Sequence, residues 1–101
     1  MPKRVFLATR ELLFRSKLGA AVAAAGGEVV KDASACDLAV LDVEIPGAVD
    51  RIRGLVASGT PVLAYGSHVL ADLLRSAREA GATAVPNSDV ERRLRALLTS
   101  R

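Results

Sequence analysis

Short apolar runs and helical stripes of apolar residues alternate along the chain. Residues 5–8 (Val-Phe-Leu-Ala) form a continuous apolar run, the pattern of a strand buried on both faces. Residues 11–25 follow, with Leu12, Leu13, Phe14, Leu18, Val22 and Ala25 at helical spacing, and Gly26-Gly27 stops that helix. Residues 28–31 read as a brief second strand and 38–41 (Leu-Ala-Val-Leu) as a third, which runs into a loop at 42–47. A helix over 48–58 carries Val49, Ile52, Leu55 and Val56 and stops at Gly59. Residues 61–65 are the fourth strand, and Gly66-Ser67-His68 turns into a helix over 69–80 that Gly81 closes. Residues 82–85 are the fifth strand. Ser88-Asp89-Val90-Glu91 has the form of a capping box that opens a last helix, with Val90, Leu94, Leu97 and Leu98 on its buried side.

Strands alternating with helices imply a parallel sheet wound by right-handed crossovers, in one domain over residues 1–101. One connection departs from this pattern. Only six residues, 32–37, lie between the second and third strands. In a sheet of order 2-1-3-4-5 those strands flank the first, about 9.6 Å apart at ~4.8 Å per step. With the return along a strand, the span is about 18 Å, and six extended residues reach about 20 Å. A taut, extended crossover is expected there, with no helix.

Half the residues are hydrophobic, but only Phe6, Phe14 and Tyr65 are aromatic, so Ala, Val and Leu must build the core. A quarter are charged, and no apolar run approaches the roughly 20 residues of a membrane-spanning helix. The start, Met-Pro-Lys-Arg before about five apolar residues, is not that of a signal peptide. Cys36 is alone, so no intrachain disulfide or cysteine metal cluster is expected, and a cytoplasmic protein follows. The net charge is +3, and its basic residues are spread and interleaved with acids, as in Asp50-Arg51 and Arg78-Glu79. That is a solvated surface and not a nucleic-acid footprint.

Asp37-Leu-Ala-Val-Leu-Asp42-Val-Glu-Ile-Pro46-Gly47 resembles the third strand and following loop of response-regulator receiver domains. Gly59-Thr-Pro61-Val-Leu resembles the fourth strand of that family, and Ala77-Arg-Glu-Ala-Gly81-Ala82 its lead into the fifth. The resemblance implies a three-layer, flavodoxin-like α/β fold with a five-stranded parallel sheet, here without the helix that receivers place between strands 2 and 3. It makes Asp42 the equivalent of the phosphoacceptor. The acid pair that holds magnesium in receivers falls on Thr9-Arg10, the hydroxyl residue on Gly66, and the lysine near Asn87 and Ser88. Mg²⁺ wants near-octahedral oxygen ligands, usually including carboxylates, and phosphoryl transfer needs metal and cations on the equatorial oxygens. One carboxylate beside an arginine is a poor substitute.

Open α/β sheets bind ligands at the carboxyl ends of their strands. Thr9, Arg10, Asp42, Glu44, Gly66, Ser67, His68, Asn87 and Ser88 all fall on that edge, and Thr9, Arg10, Ser67, His68, Asn87 and Ser88 form a candidate rim or anion site beside Asp42. Adjacent Ser67 and His68 do not face each other as a hydrolase dyad must, so no catalytic residue, metal site or cofactor is assigned. The expected function is that of a non-catalytic pseudo-receiver, not phosphorylated, recognising a protein partner or a second copy of itself. The alternatives are a small-ligand or anion sensor at the carboxyl edge, and a degenerate receiver still phosphorylated on Asp42. Arg10 is expected to take the place of the metal and grip Asp42 in bidentate fashion. Otherwise it points to solvent and Asp42 caps local amides.

Overall fold

Each continuous apolar run becomes a strand in a computed structural model, which describes residues 3–99. The strands are β1 (Arg4–Ala8), β2 (Glu28–Val30), β3 (Leu38–Asp42), β4 (Val62–Gly66) and β5 (Thr83–Pro86). The helices are α1 (Leu12–Ala24), α2 (Ala48–Ala57), α3 (Ala71–Glu79) and α4 (Val90–Thr99), with single 3-10 turns at Ala33–Ala35 and Asn87–Asp89. The sheet order is β2-β1-β3-β4-β5 and every strand pair is parallel. This is the expected flavodoxin-like architecture.

The sheet is covered on both faces, so β3 and β4 are apolar at nearly every position and buried throughout. On one face α1 and α4 meet Val5, Leu7, Val40, Leu63 and Tyr65 through Leu18, Val22, Val90 and Leu94. On the other, α2 and α3 meet Phe6, Ala39, Leu41 and Ala64 through Ile52, Leu74 and Ala77. Alanines at the sheet surface let the helix axes come close, as expected from a core with few aromatic rings.

Several local expectations change. Leu12 and Leu13 are 82% and 73% exposed, and Ala25 is also exposed. At 100° per residue, positions 12 and 13 lie about 120° and 140° around the helix from Leu18, off the buried stripe of Leu18, Ala21 and Val22. α3 begins at Ala71 and not at 69, because Ser67–Leu70 makes a turn first, its Leu70 amide donating to the Ser67 carbonyl at 2.9 Å. The capping box does not form. Asn87–Asp89 is a 3-10 turn without a side-chain cap, and Glu91 pairs with Arg95 at 2.9 Å and Lys17 at 3.7 Å.

Between β2 and β3 there is no α-helix, as expected, but the connection is not taut. β2 ends at Val30, so residues 31–37 are free to cross, one more than the sequence suggested. The slack is taken up by the 3-10 turn, which the Asp32 carboxylate caps by accepting from the Ser34 amide (2.9 Å) and hydroxyl (2.7 Å). The same bonds hold the Asp32 carboxyl below its ordinary pKa. Asp37 then ties the crossover to β1: its carboxylate accepts from the Arg4 amide at 2.8 Å, and its own amide donates to the Arg4 carbonyl at 2.8 Å.

Candidate functional site

β1, β3 and β4 end side by side, and their last residues set the geometry of the carboxyl edge. Asp42 and Tyr65 are register partners, so their side chains leave the sheet on one face. Thr9 and Arg10 follow β1 next to them. Asp42 is 3% exposed, the one charged residue in the buried core among the described residues. A carboxylate so placed needs partners for both oxygens. Its Oδ2 accepts from Arg10 Nε at 3.1 Å, and its Oδ1 accepts from the Glu44 amide at 2.9 Å.

Arg10 does not make the bidentate fork that the sequence suggests. Its second nitrogen, Nη2, sits 3.0 Å from Glu44 Oε2, so one guanidinium bridges two carboxylates. The Asp42 hydrogen bond, followed by the charges of Asp42 and Glu44, raises the Arg10 pKa above its ordinary value. Beside this bridge the Tyr65 hydroxyl donates to Thr9 Oγ1, which also accepts from the Glu11 amide at 3.3 Å. Burial pushes the Tyr65 phenol up to about 12, against a smaller opposing effect of the Thr9 hydrogen bond. Phe14 packs on the Tyr65 ring, centroids 5.2 Å apart, and closes the site from the α1 side.

The remaining rim residues stand apart from this cluster. Ser67 Oγ accepts from the Val69 amide at 3.4 Å, and His68 is exposed. Asn87 is half-buried and Ser88 exposed, both in the 3-10 turn after β5. None of the four shares a hydrogen bond with Thr9, Arg10 or Asp42 among the described residues. The structure thus brings three of the seven candidate residues together and spreads the other four along the edge. It also draws Glu44, an edge residue outside the candidate set, into the cluster and adds Tyr65. The Asp-Val-Glu spacing hints at Glu44, two residues on from Asp42, but no local pattern joins Tyr65 to Thr9, 56 residues away.

Gly66 ends β4 where receivers have a hydroxyl residue. A Cβ there would lie 2.6 Å from Val43 Cγ2, so the Val43 side chain already fills that space. The residues present do not fit Mg²⁺ either. The two carboxylates nearest the strand ends are both held by a guanidinium, and a divalent cation would have to displace it. Among the described residues no group of three or more His, Cys, Asp or Glu side chains is placed to hold a metal ion.

No family model matches the chain, and no curated protein matches it in sequence. Solved structures match it by shape. NtrX from Brucella abortus superposes with a TM-score of 0.76 at 18% identity, over 96% of this chain and 26% of that one. A response regulator from Thermotoga maritima superposes at 0.76 and 17% identity, over 99% of this chain and all of that one. A beryllofluoride-activated DrrB receiver domain gives 0.79 at 18%, over 97% and 95%. The chain spans about a quarter of NtrX, and no helix among its described residues is long and apolar enough to cross a membrane. Sheet order, helix placement and these superpositions agree that the chain has the flavodoxin-like fold of response-regulator receiver domains.

Proposed function

We propose that the chain is a cytoplasmic signalling module of receiver fold held in one state, acting through protein recognition and not through phosphorylation. The observation that carries this reading is the Arg10 bridge, with guanidinium nitrogens 3.1 Å from Asp42 and 3.0 Å from Glu44. The resemblance makes Asp42 the phosphoacceptor equivalent, and here both of its oxygens are engaged and its side chain is 4% exposed. The positive charge that a receiver borrows from a metal is supplied by the chain itself. A charge-assisted pair of this kind fixes loop 43–47 through the Glu44 amide and carboxylate. The partner is a protein, and a second copy of the chain is included in the proposal.

The test is phosphorylation itself. Incubation with acetyl phosphate, or with beryllofluoride, each with Mg²⁺, should leave the mass and the amide spectrum unchanged. A gain of one phosphoryl group that Asp42→Asn removes would overturn the proposal.

A further inference from the structure

Most basic side chains of this protein have a partner. Among the described residues Arg4, Arg10, Lys17, Arg53, Arg75, Arg92 and Arg95 make ion pairs. Lys3 and Arg78 donate to the carbonyls of Leu97 and Ala84. That leaves Arg15, Lys31, Arg51 and Arg93 without an ion pair or side-chain hydrogen bond among the described residues. Three of these four, Arg15, Lys31 and Arg51, line one cavity of about 490 Å³.

The cavity lies at the corner where β1 and β2 end. No α-helix follows β2, so among the described residues this corner is walled by side chains of α1, α2 and the 43–47 loop. Its floor is apolar, with Phe6, Val30 and Ile45, and no carboxylate-bearing residue lines it. The Arg51 guanidinium stands over the Phe6 ring, 5.0 Å from its centroid. Arg15 comes from α1 and Arg51 from α2, on opposite faces of the sheet, and Lys31 follows β2, so positive residues line the apolar hollow from several sides and favour an anion there. The volume lies in the range of small-molecule pockets, roughly 300–1,000 Å³, and its place outside the carboxyl ends of the strands is where such sheets bind ligands. A larger cleft between the 33–35 turn and α2, about 730 Å³, shares Arg51, but its carboxylate, Asp37, is already held by Arg4.

We propose that this corner binds a small organic anion, a phosphate, sulfonate or carboxylate carried on a planar or apolar body. The anionic group meets Arg15, Lys31 and Arg51, and the body lies on Phe6, Val30 and Ile45. The site adjoins the Arg10 bridge, with Thr9 on the boundary between them, but uses other cations and does not depend on whether Asp42 is phosphorylated.

Three probes test it on the intact chain, followed by amide shifts and, for the first, by fluorescence: 8-anilinonaphthalene-1-sulfonate, adenosine 5′-monophosphate and inorganic phosphate. The sulfonate and the nucleotide should bind saturably and move the amides of Phe6, Val30, Lys31, Ile45 and Arg51, with phosphate alone markedly weaker. Lys31→Ala and Arg51→Ala should each weaken binding about tenfold, the loss of one hydrogen bond to a charged group. Arg93→Ala, which removes the unpaired cation outside the cavity, should change nothing. The proposal fails if none of the probes binds, if the shifted amides lie at the Arg10 rim or elsewhere, or if the Lys31 and Arg51 variants bind as tightly as the parent.

Discussion

Asp42 and Tyr65 show two ways of keeping a polar group at the end of a buried strand. The Asp42 carboxyl has a partner on each oxygen, and its cost of burial is offset by a guanidinium and a backbone amide. Tyr65 stays neutral, and its hydroxyl needs only the oxygen of Thr9. The second arrangement has a consequence in alkali. The folded phenol titrates at about 12, above its ordinary 10, so the fold holds the proton more tightly than the unfolded chain does. Its contribution is therefore complete below about pH 10 and is lost as pH rises from there towards 12. Urea unfolding between pH 9 and 12 should show stability falling with pH in the parent chain and a shallower fall in Tyr65→Phe. Equal slopes would show that the phenol is not held neutral by the fold.

At the scale of elements, β4 and the loop after β3 are built against each other. Val43 leaves β3 with its amide donating to the Tyr65 carbonyl at 2.9 Å, and its side chain fills the space beside Gly66. Gly66→Ala therefore puts a methyl group 2.6 Å from Val43 Cγ2 and should cost about 1–3 kcal/mol, the usual range for overpacking. Val43→Ala should relieve much of that cost, so the double variant should be more stable than the sum of the two single losses predicts. Strict additivity in thermal melts would show that the two residues do not share the space.

The strands and helices were legible in the sequence, because a sheet covered on both faces demands the unbroken apolar runs at 5–8 and 38–41. The helix starts were less so. Ser67 and Ser88 have the side chains of caps, yet both sit in turns that tighten before the helix begins, a choice set by how each loop leaves its strand. Leu12 and Leu13 mislead for a related reason. Their types suit a core, and only the phase of the helix relative to Leu18 shows that they point away from it. The Arg10–Asp42 pair was within reach of sequence because it joins the ends of neighbouring strands. Its extension to Glu44, and the convergence of Arg15, Lys31 and Arg51, needed the path of the loops.

At the scale of the whole molecule, α4 spends its apolar residues inward. Val90 and Leu94 are fully buried, and Leu97 and Leu98 pack half-buried against the same core. The outer faces of α3 and α4 carry ion pairs one helical turn apart, Asp72–Arg75, Asp89–Arg92 and Glu91–Arg95. Self-association through these outer faces is thus expected to be weak and reduced by salt. Sedimentation equilibrium should show a species of twice the 10.5 kDa chain mass appearing at high protein concentration and low ionic strength. A 10.5 kDa species throughout would remove the homodimer from the proposal.

The two edges of the sheet differ in what they allow to change. Where helices return to strands, the chain reverses on Gly26, Gly59 and Gly81, with φ of 80°, 83° and 107°, a backbone that other residues rarely adopt. Those turns are tight and leave little freedom for insertion or substitution. On the opposite edge only Gly47, which precedes α2 with φ of 79°, carries that requirement among the described residues, and the strands otherwise open freely into the residues of the Arg10 bridge and the basic corner. Divergence can therefore rewrite the chemistry of this domain repeatedly while the folding instructions stay on the other side of the sheet, so descendants of one scaffold come to differ most where they meet their partners.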